Sequence, residues 1–155
     1  MLFTAASTRG RTWAIPWQTA RSNLFELVPH IADVRVRVTA DTLEDLFLDA
    51  MRGMYAVMHA QAGHERVERQ ITVQDSADTT SLLVDFLNEV LGRAHIGREM
   101  FTDAVFTRFD ATSIEATLTG VTPASFDEDV KAVTYHEAEV RRDKRGWTTM
   151  LVFDI

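Results

Sequence analysis

The sequence predicts an α+β fold in which two amphipathic helices pack on one face of a mostly antiparallel sheet. Two stretches carry apolar residues at helical spacing, and the stretches around them alternate apolar and polar residues as half-buried strands do. The predicted order is strand, strand, helix, strand, helix and then four strands. At 155 residues, the chain fits one domain that is long enough to bury a core.

Two strands and a helix are predicted first. Residues 24–28 form a short strand that ends at Pro29, because proline cannot donate to a sheet ladder. Residues 34–38 alternate Val and Arg, which is the period of a strand with one face in the core. Asp41 or Thr42 then caps a helix. The apolar face of this helix comprises Leu43, Leu46, Phe47, Ala50, Met51, Met54, Val57 and Met58.

A second helix is predicted after a strand at residues 67–73, with Asp78 as its cap. Asp85, Asn88 and Glu89 lie on the other side of this helix from its apolar stripe, and we interpret them as a solvated face. The stripe comprises Leu82, Leu83, Phe86, Leu87, Val90, Leu91 and Ala94.

The residue pattern in the last part of the chain predicts four strands, at residues 101–109, 112–119, 130–140 and 147–153. Residues 120–123, Gly-Val-Thr-Pro, break the pattern between the second and the third of them. The polar turn at residues 143–146 contains a glycine and predicts a hairpin between the last two.

Composition excludes several classes of site. The chain has no cysteine, which excludes disulfide scaffolds, thiolate metal sites and cysteine nucleophiles and is compatible with the cytoplasm, where we expect the protein. The net charge of −7 disfavours direct binding of nucleic acid, although a local basic patch stays open. No run approaches the roughly 20 apolar residues of a membrane span, so we expect no membrane association.

Residues 1–23 form a separate segment by composition. They contain Arg9, Arg11 and Arg21, several Ser and Thr and no acidic residue, which is faintly similar to a transit peptide. An additional N-terminal arm, or an early start codon, is the simpler interpretation. The segment has no continuous apolar region and is therefore not predicted to be a secretory signal.

Motifs for catalysis are scarce. The sequence contains no P-loop and no GxGxxG, HExxH or GxSxG pattern. No serine lies in a predicted nucleophile elbow, so hydrolysis by a Ser-His-Asp triad has little support. The histidines lack the spacing of zinc ligands, and they are His30, His59, His64, His95 and His136.

Carboxylates in unusual places predict a candidate site. Asp33 follows a Pro-His turn and precedes an apolar strand, and Asp154 directly precedes Ile155 at the end of the sequence. If the last strand pairs near Asp33, two side-chain carboxylates and a terminal one converge and repel. A hard cation such as Ca²⁺ or Mg²⁺ would relieve that repulsion, and Lys131 is the alternative neutralising group. The simpler interpretation is that Asp33 caps a turn and Asp154 is a solvated end.

Several motifs, in order and at suitable spacing, resemble the archease family. The first is His-Ile-Ala-Asp-Val at residues 30–34, followed by a capped helix at residues 42–47. Leu-Val-Asp-Phe-Leu-Asn-Glu-Val-Leu at residues 83–91 is similar to the second-helix motif. Val-Lys-Ala-Val-Thr-Tyr-His at residues 130–136 is the most specific match, and the sequence ends in the family's hydrophobic-Asp-Ile tail.

The resemblance implies an SHS2-like archease fold for residues 24–155, with residues 1–23 as an arm outside the family pattern. It also implies a non-catalytic cofactor of the RtcB-type tRNA-splicing RNA ligase, one that promotes guanylylation and multiple turnover of that ligase. The ligase is then the expected partner, and tRNA would be reached only through it.

The resemblance further implies a metal site formed by Asp33, Asp154 and Ile155. Its expected cofactor is a divalent cation, with Ca²⁺ first and Mg²⁺ or Mn²⁺ as alternatives. Lys131 and His30 would support this site or contact the partner. Residue 31 is Ile where the family usually has Thr, which removes a hydroxyl beside the proposed site.

Two other functions stay open. One is a chaperone or specificity factor for a tRNA-modifying methyltransferase, a role also associated with archease-like proteins. The other, from a different class, is a small metal-dependent hydrolase that uses Asp33 and Asp154. Release of a product by the purified chain alone would distinguish the hydrolase from the two partner-binding functions.

Overall fold

A computed structural model describes residues 25–29 and 33–155. Within these residues it contains two α-helices and eight β-strands. The predicted arm at residues 1–23, together with His30 and Ile31, lies outside the described residues. In chain order the elements are β1 (Phe25–Pro29), β2 (Asp33–Ala40), α1 (Leu43–Val57), β3 (Glu65–Val73), α2 (Thr79–Gly97), β4 (Met100–Phe109), β5 (Ile114–Thr122), β6 (Ala132–Thr134), β7 (Arg141–Asp143) and β8 (Gly146–Asp154).

The strands form two antiparallel sheets. The larger sheet has five strands in the order β1-β2-β8-β6, with β7 also paired to β8. The smaller sheet has three strands in the order β3-β5-β4. The predicted α+β class is confirmed, but the strands divide between two sheets because the segment that contains β3, β4 and β5 pairs only within itself.

Each helix begins where the sequence predicts. Thr42 is the N-cap of α1, and its hydroxyl accepts a hydrogen bond from the Asp45 amide at 3.1 Å. Asp78 is the N-cap of α2 and accepts from the Ser81 amide at 2.7 Å. That amide hydrogen bond stabilises the carboxylate and lowers the pKa of Asp78. In each case a side-chain oxygen satisfies a backbone donor that the first helical turn leaves without an intrahelical partner.

Both helices join the two sheets through one core. α1 packs on β1, β2 and β8 of the larger sheet and on β4 of the smaller one, while α2 packs on β6, β3 and β5. Aromatic rings fill the space between them, with Phe47 of α1 4.9 Å from Phe109 and 5.7 Å from Phe86, measured between ring centroids. The predicted apolar stripes of both helices are therefore confirmed as core faces.

Two strand predictions are wrong in extent. The predicted strand at residues 130–140 is only Ala132–Thr134, and β7 is a separate strand after a bend and turn at residues 135–137. β5 does not break at Gly120 but continues to Thr122. A Cβ at Gly120 would overlap the Met100 carbonyl of β4, so the glycine permits a close strand approach there.

Candidate functional site

Strand β8 ends where β2 and β6 begin, and this end of the larger sheet carries the predicted acidic residues. Asp33, the first residue of β2, lies directly opposite Asp154, the last residue of β8. Asp154 lies in turn opposite Ala132, the first residue of β6. Residues directly opposite in an antiparallel pair have Cβ atoms about 4.5–5.5 Å apart and point to the same face. The predicted approach of the sequence's last strand to Asp33 is therefore confirmed.

The apolar pattern of β8 fixes this register. Leu151 and Phe153 are fully buried in the core, and Phe153 lies opposite Val34 of β2 and Val133 of β6. Because side chains alternate along a strand, a slip of one residue would exchange the core face with the outer face. Burial of Phe153 therefore places Asp154 on the outer face beside Asp33.

Lys131 brings a positive charge to the same end. Its backbone amide donates to the Asp154 carbonyl at 2.7 Å, which extends the pairing of β6 and β8 by one residue. Its ammonium group donates to the Ile155 backbone oxygen at 3.3 Å. The ammonium group of Lys131 thus contacts Ile155, the residue after Asp154.

A second ion pair crosses the outer face two residues along the strands. The Arg35 guanidinium lies 3.2 Å from the Glu137 carboxylate. Arg35 of β2 and Thr134 of β6 are the neighbours of Val152 on either side. Val152 points away from the core yet is only 2% exposed. The ion pair joins β2 to the turn after β6 and so ties that turn to the sheet.

Asn88 of α2 forms hydrogen bonds with the backbone of β6 at the edge of the sheet. Its amide nitrogen donates to the Val133 carbonyl, and its amide oxygen accepts from the Val133 amide, both at 3.0 Å. The side chain therefore replaces the backbone of a further strand. This contradicts the interpretation of Asn88 as part of a solvated helix face.

Asp85, one turn earlier on α2, holds the turn that follows β6. Its carboxylate accepts from the Tyr135 hydroxyl at 2.5 Å and from the Ser76 hydroxyl at 2.6 Å. The hydrogen bond to Asp85 raises the pKa of Tyr135, because ionised Tyr135 would face that carboxylate. Asp85 is therefore also more than a solvated residue, whereas Glu89 is exposed and pairs with Arg93 at 2.9 Å.

Replacement of Asn88 by Ala is expected to lower the free energy of unfolding by about 2 kcal/mol, because it leaves both backbone groups of Val133 without their partner. Urea unfolding followed by circular dichroism measures this loss. Glu89→Ala is the matched control, since it removes only an exposed ion pair and should cost less than about 0.5 kcal/mol. Equal unfolding midpoints for the two variants would contradict the role of Asn88.

The structure brings four of the five predicted site residues together. Asp33, Asp154, Ile155 and Lys131 meet at the end of the larger sheet, while His30 lies outside the described residues. The described residues hold no cluster of three or more His, Cys, Asp or Glu side chains arranged for a metal ion. The predicted ligand set differs from such a cluster because its third member is the terminal carboxylate of Ile155. Metal binding by these residues stays a prediction.

The fold defines a small α+β protein in which one end of the larger sheet carries acidic residues. The chain belongs to the archease family, since residues 25–155 match the model of the Archease protein family (MTH1598/TM1083).

Relatives of known identity agree with this assignment. The chain is 29% identical to protein archease of Methanosarcina mazei over 140 residues, which cover 84% of this chain and 95% of that protein. It is 30% identical to protein archease of Pyrococcus furiosus over 141 residues, which cover 84% and 98%.

Two solved structures share the fold. The solution structure of Methanobacterium thermoautotrophicum protein 1598 has a TM-score of 0.59 at 25% identity, and covers 85% of this chain and 99% of its own. The crystal structure of an archease from Thermotoga maritima, described as a possible chaperone, has a TM-score of 0.61 at 18% identity and covers 83% and 94%. Among the described residues of this chain, no helix is both long and apolar enough to cross a membrane.

Proposed function

We propose that this protein is a non-catalytic, cytoplasmic cofactor of an RtcB-type tRNA-splicing RNA ligase, and that it promotes guanylylation and multiple turnover of the ligase. Membership of the archease family supports a role as an accessory protein. The observation that carries the proposal is the convergence of Asp33, Asp154 and the Ile155 carboxylate at one end of the larger sheet. This end offers oxygen ligands on an exposed tip, where a partner protein can reach them.

The residues at this end fit a hard divalent cation. Ca²⁺, Mg²⁺ and Mn²⁺ take carboxylate and carbonyl oxygens at about 2.0–2.6 Å, so two ligands of one ion need oxygens within roughly 5 Å. Side chains directly opposite on neighbouring antiparallel strands have Cβ atoms about 4.5–5.5 Å apart, a spacing from which two carboxylates can reach one ion. Lys131 supplies one positive charge, which lies beside the terminal carboxylate. The two aspartate side chains at the same end add two negative charges.

Each residue has a distinct part in the proposed role. Asp33 and Asp154 supply fixed charge from strand ends, where the packed core below them limits their movement. Lys131 orients the terminal carboxylate through its ammonium group and fixes the Asp154 backbone through its amide. A bound divalent cation would neutralise these acids and offer free positions to phosphate oxygens. The acidic tip would enter or cap the metal- and nucleotide-binding cleft of the ligase.

The direct test mixes the purified protein with the ligase, GTP and a divalent cation, and measures covalent guanylylation of the ligase over time. We expect faster guanylylation and more than one ligation per ligase molecule when this protein is present. Product formation by this protein alone, from nucleotide or RNA, would instead support the metal-dependent hydrolase. No change in guanylylation, together with capture of a tRNA-modifying methyltransferase, would support the chaperone role.

Deletion of Ile155 is expected to weaken cation binding at least about tenfold, because the terminal carboxylate would move by one residue and lose its contact with Lys131. Calorimetric titration with Ca²⁺, Mg²⁺ and Mn²⁺ measures the affinity and identifies the preferred ion. Ile155→Ala keeps the carboxylate in place and is the matched control. Equal affinity of the deletion and the wild-type chain would exclude the terminus as a ligand.

A further inference from the structure

The hairpin of β7 and β8 concentrates positive charge on this acidic protein. Arg141, Arg142, Lys144 and Arg145 occupy four of five consecutive positions, in a chain with a net charge of −7. All four side chains are exposed, and Asp143 is the one acid among them. We refer to residues 141–147 as the basic hairpin.

Acidic neighbours do not neutralise the basic hairpin. Arg141 lies 3.8 Å from Glu139, but both side chains are about two-thirds exposed, so this pair is weak. Within residues 25–29 and 33–155, Arg142, Lys144 and Arg145 form no ion pair. The Asp143 carboxylate accepts a hydrogen bond from the Arg145 amide at 2.7 Å and shapes the turn.

Arg142 is held in place without a carboxylate. It lies directly opposite Trp147, with its guanidinium carbon 5.8 Å from the centroid of the ring. A cation over an aromatic face is stabilised by the ring and keeps its N–H donors available. Because the side chain is already ordered, less conformational entropy is lost when it binds an anion.

Hydroxyl groups lie beside the basic hairpin on the outer face of the sheet. Arg141 is opposite Thr148, and Thr148 is opposite Thr39 of β2. The two threonine hydroxyls are 3.4 Å apart and half-buried. Arginine and threonine side chains are both common donors to phosphate oxygens.

Protection of a sheet edge explains only part of this charge. Lys and Arg on an edge strand hinder pairing with another chain, and this suits Arg141 and Arg142 of β7. Lys144 and Arg145 lie in the turn, where no ladder is exposed, so they require a different explanation.

We propose that the basic hairpin binds the phosphate backbone of single-stranded RNA. Guanidinium groups bind phosphate in a bidentate manner, and three of the four cations are arginines. The choice of RNA over an acidic protein rests on the proposed function, in which the ligase joins RNA ends. Whole-chain charge disfavours direct contact with RNA, but four of the 16 Lys and Arg residues lie within five consecutive positions of this hairpin and form a local basic patch.

The test is fluorescence anisotropy of a labelled 20-nucleotide single-stranded RNA, titrated with the full chain and without ligase, between 20 and 150 mM salt. We expect a dissociation constant on the order of 10⁻⁵ to 10⁻⁴ M at low salt. The variant Lys144→Gln/Arg145→Gln is expected to bind about tenfold more weakly. Its slope of log affinity against log salt should be shallower by about 1.4, because each lost phosphate contact on a single strand contributes about 0.7.

Arg66→Glu is the matched control. Arg66 is exposed on β3 of the smaller sheet, and its reversal lowers the net charge by two, as the double variant does. An equal loss of affinity in this control would show that overall charge decides, and would overturn the proposal. No binding by the wild-type chain would overturn it as well, and equal affinity for a poly-glutamate peptide would assign the hairpin to an acidic protein instead. Because the ligase is absent, failure of ligase stimulation would not alter these results.

Discussion

Replacement of Asp33 or Asp154 by Asn is expected to abolish stimulation of the ligase and to lower cation affinity at least about tenfold, while the fold survives. Asn keeps the shape and one oxygen of the side chain but removes the negative charge that a hard cation requires. Both residues lie at strand ends outside the core, opposite each other. The free energy of unfolding should therefore change by less than about 1 kcal/mol, the usual size of a cross-strand pair.

Asp103→Asn is the matched control for these two variants. Asp103 is an exposed residue of β4 in the smaller sheet, and its carboxylate accepts from the Ala104 amide at 2.9 Å. Asn preserves that acceptor and removes the same charge, so this variant should stimulate the ligase as the wild type does. Full stimulation by the Asp33 or Asp154 variant would show that the acidic end of the sheet is not the functional site.

Local sequence signals predict the helices because each carries complete information about itself. Thr42 and Asp78 mark the beginnings, and apolar spacing marks the buried faces. The hairpin at residues 143–146 is likewise predicted, since a polar turn with Gly146 separates two alternating runs. Division of the strands between two sheets is not predicted, because it depends on pairings between distant segments such as β2 with β8.

The segment after Val130 shows tertiary structure overriding local propensity. Its Val, Thr and Tyr residues favour a long strand. In the structure β6 stops at Thr134, Tyr135 turns to Asp85 of α2, and Glu137 has a positive φ of 60°. Contacts with α2 and with Arg35 outweigh continued pairing, and no periodicity of the segment itself encodes them.

The convergence of the candidate site residues is predictable where charge pattern and family motifs agree. Asp33, Asp154, Ile155 and Lys131 are found from acids beside strand ends and from the resemblance. Asp85 and Asn88 are missed as supporting residues, because the partners that they hold in and after β6, Tyr135 and Val133, lie 50 and 45 positions away in the chain. The helical pattern itself does not mark them, because at 3.6 residues per turn both lie nearly opposite the apolar stripe of α2.

Replacement of Phe153 by Ala is expected to lower the free energy of unfolding by about 3–5 kcal/mol and to weaken cation binding as well. The side chain is fully buried between Val34 and Val133, so its removal leaves a cavity between β2, β8 and β6. Phe153 is also the last core residue before Asp154, so its loss should let the end of β8 separate from Asp33.

Phe101→Ala separates the two effects of the Phe153 variant. Phe101 is equally buried but belongs to β4 of the smaller sheet, so its replacement should cost a similar 3–5 kcal/mol without touching the acidic end. Chemical unfolding measures the free energy of unfolding of each variant. Calorimetric titration at about 10 °C measures cation affinity at a temperature where the folded state is favoured, since typical stabilities are about 5–15 kcal/mol. We expect weaker binding only for Phe153→Ala. Equal cation affinities in the two variants would show that the position of Asp154 does not depend on the core residue beneath it.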